Sequence, residues 1–315
     1  MTLRPPDPTR VTVLLAMYNG GNALESQLDS YLQQSLKPTH ILASDDGSRD
    51  GSQARFDTFA ARAATAGILC HSVTGPQRGV TANFLSLLAQ ANLASDYVAL
   101  SDQDDIWLPE KLAAATHLLA PHANTPALLG TRSWEWDSLR DQRQLSREVP
   151  PPHNFRHALV QNFAGGNTMV LNRAALHLVQ RALPRIADAA VHDWWLYQLI
   201  SGAGGKVILD RAPRLLYRQH ADNQIGANSG MRSKFHRLGA MLNGTYRQWN
   251  DLNIAALEPN ADLLTPESRD ILARFIRDRQ APFQARLAML RHTRLHRKGA
   301  VNQASLWLAA VLNKL

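Results

Sequence analysis

Apolar and β-branched residues run without interruption from Val11 to Met17, and the turn formers Tyr18-Asn19-Gly20-Gly21 follow at once. A run this short, closed by turn residues, predicts one buried strand rather than a helix. Leu24, Leu28, Tyr31, Leu32 and Leu36 then recur at intervals that put them on one side of a helix, and Pro38 ends the pattern. Ile41-Leu42-Ala43 predicts a second short strand, which runs into Ser44-Asp45-Asp46-Gly47-Ser48. A helix over 52–66, a weak strand over 68–73 and a helix over 81–92 continue the alternation. Tyr97-Val98-Ala99-Leu100 is the next strand, and its carboxyl end passes directly into Ser101-Asp102-Gln103-Asp104-Asp105.

Strands alternating with helices predict an α/β fold with a mostly parallel sheet covered on both faces, whose ligands bind beyond the carboxyl ends of the strands. Both acidic clusters fall at such ends. Pro109 suits the first turn of a helix extending to Leu119. Residues 134–155, with two tryptophans, many charges and Pro150-Pro151-Pro152, read as a long loop or inserted segment. Further strands are expected at 167–171 and 206–209, flanking helices at 173–182 and 193–201. After about residue 228 strand signals cease, and helical stretches are expected at 231–250 and from 266 onward. The boundaries that follow are 1–228, divisible into 10–110 and 111–228, and a helical extension over 229–315.

Composition adds limits. With 45% hydrophobic and 19% charged residues the chain is ordinary for a folded protein, and no repeat period is visible. Cys70 is the single cysteine, which excludes an internal disulfide and a cysteine-based zinc site and fits a reducing compartment. Neither the apolar core of an export signal nor a membrane-length apolar run is present, so the expectation is a cytoplasmic protein. The net charge of +8 favours anionic partners. Its basic residues thicken after about residue 230, whereas the acidic clusters lie before it.

Two carboxylates one residue apart on a loop, as in Asp102-Gln103-Asp104, can hold Mg²⁺ or Mn²⁺ through oxygen while a diphosphate fills other positions. A solvated turn is the plain alternative. Asp193, at the opening of an apolar helical stretch, could be a general base or a helix N-cap. Arg78-Gly79, opening the helix near Thr81, would favour an anion. Gly165-Gly166-Asn167 could let the backbone approach a ligand or form a tight turn.

At this point the sequence resembles the family 2 glycosyltransferases, a large inverting family with the GT-A fold. The likeness lies in Val13 to Asn19, Asp45 to Ser52, Arg78-Gly79 with Asn83, and Ser101 to Pro109, and spans about the first 220 residues. It implies a nucleotide-sugar donor with a saccharide or lipid-linked saccharide acceptor. Ala16, Tyr18 and Asn19 would border the nucleotide, Asp45 and Asp46 would meet the base or ribose, and Arg78, Gly79, Asn83 and Gln103 would join the donor site. Asp102 and Asp104 would form the metal-diphosphate pair, with Asp104 the direct ligand, while Asp105 orients the turn. Asp193 stands where the family places its base, although His192 replaces the acid that commonly precedes it. Residues 10–110 become the nucleotide half and 111–228 the acceptor half.

The stretch Tyr217-Arg218-Gln219-His220, with Asn223 and Gly226, resembles the rhamnosyltransferase-like branch and suggests dTDP-L-rhamnose, or else a UDP-sugar, as donor. Arg218 could pair with phosphate and His220 could complete the metal sphere. Gly166 is expected near the donor sugar or acceptor, and Trp107, Trp194 and Trp195 on the acceptor side, although a core role suits at least one of the paired tryptophans. The Gln-x-x-Arg-Trp pattern of processive synthases is missing, so one sugar per encounter is expected. The basic C-terminal tail suits either peripheral contact with the inner face of the cytoplasmic membrane or packing at a homodimer interface. A nucleotidyltransferase lacks its glycine-rich basic loop here, a dehalogenase-type phosphatase its Asp-x-Asp after the first strand, and a nucleic-acid binder its aromatic-basic motif. An inactive nucleotide-sugar binder, or a nucleotidyltransferase despite that missing loop, is the remaining rival.

Overall fold

The computed structural model describes residues 9–219 and 244–315. Strand β1 (Val11–Met17) is buried on both faces, which accounts for its unbroken apolar run. Val11, Val13, Leu15 and Met17 face one core, and Leu14 and Ala16 face the other. On the first side lies α1 (Ala23–Leu32), which presents Leu24, Leu28 and Tyr31. β2 (His40–Asp45), α2 (Ser52–Thr65), β3 (Leu69–Thr74), α3 (Val80–Gln90) and β4 (Tyr97–Ser101) follow in the expected order. β2 and β4 flank β1 in parallel, with Met17 beside Asp45 and Leu15 beside Ser101. Their carboxyl ends therefore lie nearly flush, and both acidic clusters emerge at one edge.

Beyond β4 the sheet becomes mixed. β5 (Ile106–Trp107) and α4 (Lys111–Leu119) precede β6 (Ala127–Asp137) and β7 (Gln142–Leu145). Next come α5 (Phe155–Ala158), β8 (Val170–Asn172), α6 (Arg173–Ala182), α7 (His192–Gly202) and β9 (Lys206–Arg218). The strand order is β3-β2-β1-β4-β8-β6-β9-β5, with β7 on β6. β8 runs antiparallel to both β4 and β6, whereas β6 and β9 are parallel.

The segment expected to be a loop from 134 is instead the end of β6 and an antiparallel hairpin with β7, pairing Trp134 with Leu145 and Trp136 with Arg143. β9 is also longer than its apolar start suggested. It pairs with β6 as far as Trp136 and Arg218, through register shifts around Arg132. These strands are irregular and half-exposed, which hides the two-residue alternation that would mark them.

The C-terminal helices are α8 (Thr245–Leu257), α9 (Pro266–Asp278), α10 (Phe283–Thr293) and α11 (Ala300–Val311). Tyr246, Leu257, Phe275, Leu290 and Leu306 lie in the same continuous core as Trp195 and Leu199 of α7. The proposed boundary at 228 lies outside the described residues. No helix among the described residues is long and apolar enough to cross a membrane.

Candidate active site

The end of β1 is joined to the start of the acidic run by one side chain. Gln103 Oε1 accepts from the Tyr18 N–H and its Nε2 donates to the Tyr18 carbonyl, both at 2.7 Å. Gly20 packs against this clamp, and a Cβ there would lie 2.8 Å from Gln103 Oε1 and push the amide aside. Gln103 was expected to touch the donor. Its amide is instead consumed in holding two loops together, and the Tyr18 ring is left 58% exposed at the rim. At the base of the run Ser101 is buried against Tyr31 Oη at 2.6 Å and receives the Gln27 amide at 3.2 Å.

On the β2 side the carboxylates accept hydrogen bonds mainly from backbone N–H groups. Asp46 accepts from Gln77 N at 2.6 Å and Gly79 N at 2.8 Å. Asp45 accepts from Ser48 N. Asn19 adopts a left-handed conformation and accepts from Arg49 N, while Asp50 accepts from Gly21 N and from Ser52. Asn83 is buried and donates to the Ser44 carbonyl. These contacts shape a shelf from the ends of β1, β2 and β3. Ala16 is buried beside Ser44 at this end of the sheet, and Gly79, whose N–H is taken by Asp46, opens α3. Arg78 at the same place is 61% exposed and 4.0 Å from Asp188.

The acidic run is arranged differently. Asp105 is fully buried and accepts from Asn167 Nδ2 at 2.6 Å and, more weakly, from Arg218 N at 3.4 Å. Lys111, also fully buried, donates to the Asn167 carbonyl at 2.5 Å and lies 4.1 Å over the Trp107 ring. Arg218 donates to the Asp104 carbonyl at 3.0 Å and stacks on Trp136. Burial, followed by the neighbouring carboxylates of Asp105, Asp104 and Asp193, holds Asp102 well above the usual carboxylate range, with Lys111 opposing. Burial likewise pushes Asp105 up and Lys111 down, while their attraction opposes both shifts.

Asp193 lies in the first turn of α7 and is not its N-cap, a place taken by Val191. Its Oδ2 accepts from the Gly166 N–H at 2.9 Å, and Oδ1 is buried with no hydrogen bond of good geometry. Burial raises its pKa to about 6, although the N–H groups of Trp194 and Gly166 and the nearby Asn162 amide favour the charged form. Gly166 belongs to the turn that continues into Asn167. A chain of contacts therefore runs from Asp105 through Asn167 and Gly166 to Asp193. Lys111 and Asn167 carry this connection, and sequence reading had not singled out the lysine, since a helical lysine is ordinarily solvated.

Gly166 is a glycine because of His192. A Cβ would stand 2.3 Å from His192 Nε2, leaving no room for any side chain. His192 is stacked on Phe84 at 4.1 Å, neither ring nitrogen has a hydrogen-bond partner among the described residues, and burial lowers its pKa to about 3. The residue occupying the place of an acid is therefore a neutral core group.

The acceptor-side tryptophans need correction. Trp107 and Trp195 are 1% and 0% exposed. Trp194 is 5% exposed, donates to the Ala158 carbonyl and packs on Tyr246 and Trp249. None presents a face on which a sugar could stack. His220 lies outside the described residues.

A mixed sheet of this topology, flanked by helices and with two acidic clusters at one edge, has the GT-A architecture. Residues 12–176 match the profile of glycosyl transferase family 2, and the chain belongs to that family. It is 30% identical over 242 residues to the dTDP-rhamnosyl transferase RfbG of Shigella flexneri, covering 74% of this chain and 81% of that protein. Among solved structures, the 1–349 portion of S. aureus TarS in complex with UDP-GlcNAc superposes with a TM-score of 0.54 at 12% identity, covering 96% of this chain and 91% of that one. TarS itself matches at 0.52 and 13% identity, with 55% of its chain covered. At these identities the TarS likeness is one of fold.

Proposed function

We propose that this glycosyltransferase moves a single sugar from a nucleotide-diphosphate donor, dTDP-L-rhamnose in the first instance, to a saccharide or lipid-linked saccharide acceptor with inversion at the anomeric carbon. The observation that carries the mechanism is the path of hydrogen bonds that ties Asp193 to the acidic run through Gly166, Asn167 and Asp105. A carboxylate raised to about 6 by burial stands close enough to Asp102 to raise it further. A base of this strength is matched to neutral pH. Asp193 takes the acceptor hydroxyl proton as the acceptor oxygen bonds to the anomeric carbon. The bond from that carbon to the diphosphate oxygen breaks, and the nucleoside diphosphate leaves with its electron pair.

The run also suits a divalent cation. Among the described residues no three His, Cys, Asp or Glu side chains converge as a closed cage, but Asp102 and Asp104 offer hard oxygen donors, and the mutual repulsion of the carboxylates is what such a cation would relieve. When bound there, Mg²⁺ or Mn²⁺ would neutralise charge building on the departing diphosphate. Lys111 and Asn167 hold the run against the Gly166 turn, so that base and leaving group keep a fixed separation. Arg218, fixed on Asp104, faces the same edge and is suited to phosphate.

The dTDP-rhamnose donor is supported by the likeness to RfbG. Transfer assays over dTDP-L-rhamnose and a set of UDP-sugars, with the product anomer assigned by NMR, test both parts. Inverted linkage from the dTDP sugar is expected. Retention of configuration would refute the mechanism, and preference for a UDP-sugar would refute the donor.

A further inference from the structure

Helix α11 has no charged residue, and its outward side is apolar. Ala300, Val301, Ala304, Leu308, Val311 and the capping Leu312 are all exposed, Val301 to 73%. At 100° per residue these positions fall within an arc of about 120°. The opposite side, with Leu306, Ala309 and Ala310, is buried in the core. Phe283, 48% exposed, extends the patch at one end. It lies one turn before Arg286, whose guanidinium donates to the carbonyls of Ala310 and Val311. A water-soluble surface helix ordinarily shows the reverse pattern, with its polar side outward.

The charge in the sequence around this helix has one sign. From Arg279 to Leu315 the chain has seven lysines and arginines and no aspartate or glutamate. Three of the arginines are structural. Arg279 holds the Leu315 carbonyl and Asp251, Arg286 caps α11, and Arg297 donates to the Val160 carbonyl and stacks on Tyr246. The others are outward charges. Arg291 and Arg294 are exposed, and Lys298 and Lys314 stand just before and just after α11, both half-buried.

We propose that this face is a docking surface for an anionic lipid bilayer, with α11 lying in the interfacial plane and the surrounding lysines and arginines meeting acidic headgroups. An apolar arc whose flanking sequence carries positive charge alone, with Asp251 already paired to Arg279, matches such a surface in both its parts. A second copy of the chain matches it poorly, because two-fold pairing would bring two acid-free basic segments together. The proposal does not depend on the transfer reading, and an inactive chain would dock equally well.

Flotation of the full chain with vesicles tests it. At low salt the protein is expected to float with phosphatidylglycerol-containing vesicles and not with pure phosphatidylcholine. The paired variant Leu308→Glu/Val311→Glu should lower the bound fraction by roughly tenfold, and Asp193→Asn should leave it unchanged. Val301→Glu alters the most exposed position of the helix, where little packing is lost, and should lower binding by roughly threefold with an unchanged melting temperature. Equal binding to both vesicle types, or full binding by both acidic variants, would overturn the proposal. So would a dimer in light scattering that the same variants dissolve while vesicles capture nothing.

Discussion

The two acidic clusters at the edge of the sheet are built in opposite ways. In the first, Asp45, Asp46 and Asp50 spend their oxygens on backbone N–H groups of Ser48, Gln77, Gly79, Gly21 and Ser52. Each charge is satisfied locally, and the result is a shaped loop. In the second, burial raises Asp102, Asp105 and Asp193 alike, the neighbouring carboxylates raise Asp102 and Asp105 further, and Lys111 is the cation that offsets those two. A satisfied carboxylate fixes form, whereas a frustrated one stores a demand for a proton or a cation. The second cluster is therefore where a proton can be exchanged and a leaving group's charge met.

That contrast can be broken at several points. The largest effect is expected from Asp193→Asn, which keeps the shape and removes the base. Transfer should fall by about a thousandfold with the melting temperature little changed, as initial-rate and thermal-shift measurements would show. Asp104→Ala should lower turnover by about a hundredfold, and metal titration should then no longer stimulate the reaction. Lys111→Met removes the buried cation and leaves its carboxylates uncompensated. A loss of ~3 kcal/mol in urea unfolding is expected, with a smaller drop in turnover, and the equivalent removal of charge at exposed Arg78 should cost little stability.

A separate effect, on stability rather than turnover, follows from two buried imidazoles. Burial holds both His157 and His192 at about 3, against an ordinary value of 6.5. Between these values the unfolded chain binds more protons than the folded one, so stability should fall as pH drops from 6.5 towards 3. Melting temperatures that were level across that range would show these histidines to be solvated.

Much of the parallel half was legible because its signals are local. The apolar run of β1, the spacing of Leu24, Leu28 and Tyr31, and the acidic strand ends each declare themselves within a few residues. The β6–β7 hairpin did not, since its half-exposed strands mix tryptophans with charges and bend at Arg132. Individual acidic residues of the site could be picked out, but what holds them could not. Gln103 finds Tyr18 across 85 positions and Lys111 finds Asn167 across 56. The tryptophans misled for a related reason. An indole near a site suits either sugar or core, and only packing decides, as the bond from Trp194 to Ala158 does here.

The central claim is that Asp193 is a base whose strength is set by burial beside the acidic run. It is tested most directly by kcat/KM for transfer measured across pH, with the folded fraction monitored at each point. The account predicts an acid limb centred near pH 6, falling about tenfold per unit below it, and no such limb in the residual activity of Asp193→Asn. A profile that stayed level through pH 6 in the folded wild-type protein, or a limb that persisted in the variant, would contradict it.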